Sequence, residues 1–245
     1  MVTRTVLLVL MACGVAGQVH AQAPSARAAA LQNLSGTWVS VVAEHWHLRM
    51  LVPPKGEFAM LPLNAQARTV ANMWDPAKDQ AGGEQCRSYG AAAIMRVPGR
   101  LHLQWADDNT LQMEIDSGTQ TRQLRFRGTP PADGQPLQWQ GYSAAEWERT
   151  GKGADGRPVG HLKVTTTRMR PGYLRKNGVP YSERATLVEY FDRFREPNGD
   201  EWLVVDSFVT DSQYLTQPYI TSSAFKKIPD RSGWDPTPCR ADQAR

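Results

Sequence analysis

The chain has 245 residues and a formal net charge of +4, from 28 lysine and arginine against 24 aspartate and glutamate side chains. The basic residues are interspersed with acidic ones, so no nucleic-acid partner is predicted. The sequence has no dinucleotide fingerprint, no P-loop and no Gly-x-Ser-x-Gly motif. Nucleotide and flavin chemistry are therefore disfavoured, serine hydrolysis lacks its signature, and we expect no cofactor.

The first 23 residues have the pattern of a secretory signal peptide. Arg4 precedes an apolar run over 6–16, and small residues follow. The run is shorter than the ~20 residues of a membrane-spanning helix. We predict a periplasmic or secreted protein with no integral membrane segment after signal removal. The alternative is a lipid anchor at Cys13, but Met11 stands where lipoprotein signals usually carry a small residue.

Residues 24–245 are predicted to form a single β-barrel domain. Segment 61–76 predicts one short helix, with Asn64 as its N-cap and Asp75-Pro76 as its end. Most of the rest alternates apolar and polar residues between turn-forming pairs, which is typical of antiparallel strands. The predicted strands are 34–42, 89–97, 100–106, 110–116, 119–128, 137–148, 161–169, 185–194, 200–210 and 214–225. An all-β fold follows, a closed barrel or a barrel-like sandwich.

Several predicted strands have mixed faces. In 161–169 one face carries Leu162 and Thr166, and the other carries Lys163 and Met169. A simple packed sheet alternates more cleanly, so a barrel with a partly polar cavity is one interpretation. The other is a solvated face on which threonine serves β propensity.

Two resemblances bear on the fold. Gly36-Thr37-Trp38 resembles the Gly-x-Trp start of the lipocalin-like (calycin) barrels, where the tryptophan closes one end. It implies an antiparallel up-and-down barrel of about eight to ten strands, although lipocalins proper are shorter and lack the helix and loop at 61–84. The second resemblance is to a family of exported, largely uncharacterised bacterial proteins. It rests on segments such as GEQCRSYGA, VTTTRMRPGYLRKNGVPYSE and YLTQPYITS, and it implies export and a shared fold but no reaction.

The segment EHWHLRM, 44–50, has alternative interpretations as a strand. His45 and His47 would share one face and, with His102 or His161 as a third ligand, would hold a metal. No HExxH or CxxC motif supports that reading, so we predict no metal. The favoured arrangement turns Glu44 and Trp46 inward as a ligand wall, because an exposed tryptophan is costly. Arg49 is a further ligand-binding candidate.

Cys86 and Cys239 are the two cysteines that remain after signal removal. In an oxidising compartment such a pair predicts a disulfide across a long loop. The alternative is a reactive Cys86, which has no histidine nearby in sequence.

His102 and Glu189 are candidate acid–base groups. His102 shares a face with Gln104 and lies between two leucines, so it either faces a cavity as a general base or is solvated or satisfied in the core. Glu189 shares a face with Leu187 and Phe191, so it lies either at an edge or buried beside a cation. Burial would raise its pKa and suit it to proton transfer.

Segment 168–183 is rich in turn residues and polar side chains. It carries Tyr173, Arg175, Asn177 and Tyr181. Arginine supplies a fork for a carboxylate or phenolate, and tyrosine supplies a phenol for proton transfer or orientation. The segment is either a lid at the barrel mouth or a structural turn. Arg122 and Tyr142 are further ligand-binding candidates.

Three functions follow from these patterns. The first is a cofactor-free lyase or isomerase acting on a small lipophilic or phenolic compound, with Glu189, Tyr173, His102 and Arg175 as catalytic groups. Proton abstraction or a retro-aldol loss of a small aldehyde needs only such groups. The second is a carrier that binds a small lipophilic or aromatic ligand without turnover, and the third is a structural envelope protein with a filled core.

Overall fold

The computed structural model describes residues 23–245, so the predicted signal peptide and Cys13 lie outside the described residues, apart from position 23. These residues form eleven strands. They are β1 Gly36–Val41, β2 Arg100–Asp107, β3 Thr110–Ile115, β4 Gln120–Arg125, β5 Tyr142–Lys152, β6 Pro158–Thr167, β7 Gly172–Arg175, β8 Val179–Tyr181, β9 Thr186–Arg195, β10 Glu201–Thr210 and β11 Tyr219–Ile228. The α-helices are α1 Trp46–Arg49, α2 Ala65–Asn72, α3 Pro76–Ala81 and α4 Ala91–Ile94, and a 3₁₀ segment spans Gln85–Tyr89.

Nine strands close into a barrel in the order β1-β11-β10-β9-β6-β5-β4-β3-β2. Closure occurs at β1, which pairs with both β11 and β2. All neighbours are antiparallel except β4 and β5, which pair in parallel at Leu124 and Ser143. The all-β, mostly antiparallel barrel predicted from the sequence is confirmed. β7 and β8 form a separate two-stranded hairpin between β6 and β9.

Inward-facing side chains of the barrel strands pack together in the interior. Leu162, Val164, Phe191, Leu203 and Val205 are fully buried there. They alternate with half-exposed residues along β6, β9 and β10, which is the period of a strand with one buried face. At one end the Trp38 indole donates a 3.0 Å hydrogen bond to the Leu34 carbonyl, so the chain before β1 closes that end.

The opposite end is covered by the long connection between β1 and β2 and by the β7–β8 hairpin. A second apolar cluster joins them to the barrel. It includes Leu187 near the start of β9, Val209 near the end of β10 and Tyr219 at the start of β11. Ala67 of α2 and Val179 of β8 are fully buried in it. The predicted site segments 44–50 and 168–183 therefore both lie at this covered end.

The structure has four short α-helices where the sequence predicts one. Asn64 caps α2 as predicted, because its side chain accepts from the Ala67 amide. Asp75 does not simply end that helix: it caps α3, which Pro76 begins. The predicted strand 89–97 is wrong, since α4 occupies it. Three consecutive alanines favour a helix, and burial on all sides removes the polar alternation that would distinguish the two structures.

The predicted strand over 44–50 is also wrong. His45 adopts a left-handed backbone conformation at φ 48° and starts α1. This reversal turns Trp46 outward, where it is 59% exposed, so the predicted inward-facing tryptophan is wrong as well. Glu44 lies beside Arg49 and Arg96.

The predicted disulfide is confirmed. Cys86 of the 3₁₀ segment is bonded to Cys239, which is 153 positions later in the chain, and their Cα atoms are 5.1 Å apart. In the chain-entropy account such a bond stabilises by a few kcal/mol. It also holds the C-terminal segment 239–245 against the covered end of the barrel. Across residues 23–245, no helix combines the length and apolar character needed to cross a membrane.

Candidate functional site

Arg122 and Glu189 form an ion pair inside the barrel. The Arg122 guanidinium donates to both Glu189 oxygens, at 2.7 and 3.2 Å. Both side chains are fully buried, because positions 122 on β4 and 189 on β9 fall on the inward face of their strands. Glu189 thus lies buried beside a cation, one of the two placements expected for it.

Two hydroxyl groups complete this polar cluster. Arg122 Nη2 donates to Ser143 Oγ at 3.3 Å and to Thr166 Oγ1 at 3.1 Å, and the two hydroxyls lie 2.8 Å apart. Five pockets are described in this structure, and neither Arg122 nor Glu189 lines any of them. The mixed faces predicted for β4 and β6 are thereby explained by an internal network. A catalytic role for Glu189 stays a prediction.

His102 lies on the outer face of β2, between the inward Leu101 and Leu103. Its Nδ1 is 3.0 Å from Thr37 Oγ1. The structure does not bring it together with Glu189, and its role as a base stays a prediction. Nor are the candidate metal ligands assembled: among residues 23–245, no three His, Cys, Asp or Glu side chains are grouped to hold an ion.

Tyr173 belongs to a second cluster, on the β7–β8 hairpin. Its hydroxyl donates to Asp79 Oδ2 at 2.9 Å and accepts from Arg87 Nη1 at 3.0 Å. Burial raises the pKa of Tyr173 to about 12, with Asp79 adding to the rise and Arg87 opposing it. The phenol therefore stays protonated at neutral pH. Tyr173 and Tyr181 both line a pocket of about 370 Å³.

The other predicted tyrosines have buried hydroxyls without partners in the described part of the chain, at Tyr142 and Tyr181. Burial raises the pKa of Tyr181. Its hydroxyl lies so close to Gly90 that a Cβ there would be 2.2 Å away, which explains the glycine. Tyr142 lies against the Arg125 guanidinium, 5.5 Å from the ring centre.

A third cluster surrounds a small cavity at the covered end of the barrel. We call it the cationic pocket. Its lining comprises Leu48, Arg49, Ser88, Ala93, Arg96, Val97, Leu174, Arg175, Lys176, Tyr219 and Ala244. Four of these side chains are basic, and they come from α1, the α4–β2 connection and the β7–β8 hairpin. The cavity volume is about 30 Å³, whereas a single water needs roughly 10–15 Å³.

Arg49 is the most buried arginine of the cationic pocket, with a side chain 2% exposed. Its Nε donates to the Arg96 carbonyl at 3.1 Å and its Nη1 to Glu44 at 2.8 Å. Its Nη2 is buried and has no hydrogen-bond partner within residues 23–245. Burial and the nearby Arg96 lower the pKa of Arg49, although Glu44 opposes them.

Glu44 is the acid that bridges Arg49 and Arg96, at 2.8 Å from each. Burial alone would raise its pKa, but the two guanidinium groups outweigh that effect and lower it. Its side chain is 42% exposed, so part of its charge is screened by solvent.

Lys176 is buried beside the C-terminal segment. Its Nζ donates to the Gln243 carbonyl at 2.7 Å and lies 3.8 Å from the centre of the Tyr89 ring. No carboxylate of the described residues is within ion-pairing distance of it; Asp242 acts only from farther away. Burial lowers the pKa of Lys176 to about 7, against the opposing charge of Asp242.

An open groove of about 790 Å³ adjoins the cationic pocket, and Tyr219 lines both. Segment 56–62 forms one of its sides. The Arg175 guanidinium donates to the Glu57 and Ala59 carbonyls at 3.4 and 3.2 Å, and Asn177 donates to the Pro54 and Glu57 carbonyls at 3.0 and 2.9 Å. These two predicted site residues therefore hold the loop that shapes the groove.

The groove carries exposed apolar side chains. Met60 and Ile220 are each 59% exposed. Met60 also has φ 63°, a left-handed conformation that is uncommon for a long side chain and concentrates at functional sites. The groove thus presents an apolar lip beside a cationic pocket.

The comparison with known proteins returned no match to any family model, curated protein or solved structure. The closed nine-stranded barrel is compatible with a lipocalin-like architecture, and the exported family stays a prediction.

Of the predicted site residues, Arg49 and Arg175 meet at the cationic pocket, while Tyr173 and Tyr181 meet at the neighbouring one. Arg122 and Glu189 pair inside the barrel, and Trp46, His102 and Tyr142 lie apart from these pockets. The sequence analysis missed Arg96 and Lys176. The signal for Lys176 was its place in the turn between Arg175 and Asn177, but its burial by residues 243–244 has no sequence signature.

Proposed function

We propose that this protein binds a small lipophilic or aromatic molecule carrying a carboxylate or similar anion. The observation that carries the proposal is the buried, unpartnered Nη2 of Arg49 in the described structure. A buried charged donor without an acceptor is costly, and an anion accepting from it would remove that cost. A charge-assisted bond of this kind is also stronger than a neutral one.

The charge balance around the pocket supports an anionic ligand. Four basic side chains line it, and Glu44 is the acid in contact with two of them. A volume of about 30 Å³ accommodates a group the size of a carboxylate rather than a whole ligand. The rest of the bound ligand would extend past Tyr219 into the groove.

The groove supports an apolar remainder. Met60 and Ile220 offer exposed apolar surface, and covering it stabilises a complex by roughly 25 cal/mol for each Å² removed from water. Methionine is also adaptable enough to fit ligands of different shape. The combination selects amphipathic molecules.

Calorimetric titration with 3-phenylpropionate tests the proposal, with 3-phenylpropionamide as the uncharged control. We expect the carboxylate to bind about tenfold or more tightly than the amide, which corresponds to ~1.4 kcal/mol. In Arg49→Met the preference disappears, whereas an Arg125→Met control, outside the pocket, retains it. Equal binding of acid and amide, or binding of neither, would contradict the proposal.

We also propose export to an oxidising compartment, as the signal-like segment predicts. The Cys86–Cys239 disulfide supports this, because such bonds persist in the periplasm and outside cells. Mass spectrometry of the protein recovered from a periplasmic extract tests it: we expect a chain starting near residue 24 with no free thiol.

A second candidate function is a cofactor-free lyase or isomerase acting on a phenolic compound. The observation that favours it is Tyr173, a protonated phenol held between Asp79 and Arg87 at the wall of a 370 Å³ pocket. A protonated phenol at a pocket wall can donate a hydrogen bond that stabilises a developing anion. Incubation with a pool of phenolic compounds tests it by mass spectrometry. Product formation that Tyr173→Phe abolishes would support this function, and an unchanged rate would remove Tyr173 from it.

A further inference from the structure

We propose that Lys176 forms an imine with ligands that carry an aldehyde or ketone beside their anionic group. The inference rests on the proposed function, because the cationic pocket must first hold the anion. It narrows the ligand class to anionic carbonyl compounds such as aryl-substituted 2-oxo acids. The geometry that points to it is a buried primary amine on the wall of the pocket that Arg49 and Arg175 also line.

The hydrogen bonding of Lys176 leaves its nitrogen available. Its Nζ has one hydrogen-bond acceptor in the described residues, the Gln243 carbonyl at 2.7 Å. A neutral amine donates one N–H to that carbonyl and keeps its lone pair free. No carboxylate of the described residues pairs with Lys176, in contrast to Lys227, whose Nζ lies 2.7 Å from Glu201.

Burial favours the neutral amine and lowers the pKa of Lys176 to about 7. Two neighbours act in the opposite direction and favour the ammonium form: Asp242, from outside hydrogen-bonding distance, and the face of the Tyr89 ring, 3.8 Å from Nζ. The other basic residues that line the pocket are Arg49, Arg96 and Arg175. A lysine whose amine is desolvated in this way is an activated nucleophile.

The reaction balances without any further reagent. The neutral Nζ attacks the carbonyl carbon, and the carbonyl π electrons move to oxygen, which gains a proton. The carbinolamine then loses water to give the imine. Arg49 would hold the carboxylate and so place the carbonyl carbon against the amine, which raises its effective concentration.

Reductive trapping tests the inference. Phenylpyruvate and sodium cyanoborohydride are added at pH 7.5, and the modified lysine is located by peptide mass spectrometry. We expect Lys176 to be labelled at least about tenfold faster than any other lysine, since an ordinary lysine with pKa ~10.4 is almost fully protonated at this pH. Excess 3-phenylpropionate should suppress the labelling.

Two variants serve as controls. Lys176→Arg keeps the charge and should abolish the adduct, whereas Lys163→Arg, which alters a lysine paired with the exposed Glu146, should not. Labelling spread over many lysines, or an adduct that survives in Lys176→Arg, would overturn the inference. If 3-phenylpropionate binds but Lys176 stays unlabelled, the imine fails and the anion site stands. If neither occurs, both proposals fail.

Discussion

Two buried clusters of charge, one inside the barrel and one at its covered end, differ in how far their charges are balanced. Inside the barrel, Arg122 donates to both oxygens of Glu189 and to two hydroxyls. Each cluster leaves one buried guanidinium nitrogen without a partner in the described residues, Arg122 Nε in the first and Arg49 Nη2 in the second. However, Arg122 faces a fully buried carboxylate, whereas four cations line the cationic pocket and Glu44 pairs with two of them. A balanced ion pair specifies structure, and an excess of cations around a cavity has capacity for an anionic ligand.

This difference changes which residues are the best functional candidates. Glu189 combines burial with an apolar strand, the pattern of a tuned acid, but its partner neutralises it. Lys176 lies in an exposed-looking turn, KNG, and its burial comes from the distant C-terminal segment. Charge balance and an adjoining cavity therefore separate structural from ligand-directed charges better than burial alone does.

The largest expected effect comes from breaking the Arg122–Glu189 ion pair inside the barrel. Glu189→Leu leaves the Arg122 charge buried and unpaired, and we expect it to lower the free energy of unfolding by about 3–5 kcal/mol. Replacing both partners, as Arg122→Met with Glu189→Leu, should recover most of that loss. Urea denaturation measures both. If Glu189→Leu were as stable as the wild type, this expectation would be wrong, because an unpaired Arg122 would then cost no free energy of unfolding.

Removing the Cys86–Cys239 disulfide should disturb the wall of the cationic pocket. Cys86→Ser with Cys239→Ser should lower the free energy of unfolding by about 2–5 kcal/mol. It should also loosen residues 243–244, which cover Lys176. Hydrogen exchange should then rise at the C-terminal segment and not in β9 or β10. If hydrogen exchange in the C-terminal segment were unchanged in this variant, the disulfide would not be what holds that segment against the pocket.

Replacing Lys176 with an uncharged residue should change how the stability of the fold depends on pH. The unfolded chain holds the Lys176 proton up to pH ~10.4, whereas the folded chain holds it up to about 7. The unfolded state therefore binds more protons between these values, and the Lys176 contribution makes stability rise with pH across this window. Lys176→Met should be more stable than the wild type by about 1–2 kcal/mol at pH 6 and lose this advantage by pH 10. Thermal unfolding at both pH values measures it, with Lys163→Met as the control.

The smallest effect is expected at Glu44, the exposed acid of the cationic pocket. Glu44→Gln removes a negative charge from Arg49 and Arg96 and should strengthen 3-phenylpropionate binding by about two- to fivefold, as a half-exposed ion pair permits. Calorimetry in low salt measures the change. Weaker binding would mean that Glu44 positions the arginines more than it competes with the ligand.

The sequence predicted the barrel because its strands are bounded by turn residues and alternate in polarity. It also predicted the Cys86–Cys239 bond and the helix cap at Asn64. It failed at 89–97, where alanines fit a helix or a buried strand equally, and at Trp46, where the left-handed backbone of His45 reverses the chain. It left Glu189 either at an edge or buried beside a cation, and it did not identify Arg122 as the partner, since register across four strands decides that. Lys176 was missed because residues 243–244, which bury it, are distant in sequence.

The central claim is that the unsatisfied cations of the pocket receive an anion. A crystal structure of the protein with 3-(4-bromophenyl)propionate tests it most directly, because the anomalous signal of bromine fixes the orientation of the ligand. The account predicts the carboxylate on Arg49 Nη2 and the bromine in the groove beside Met60 and Ile220. A ligand bound at another place, bound with the carboxylate toward solvent, or absent at saturating concentration would contradict it.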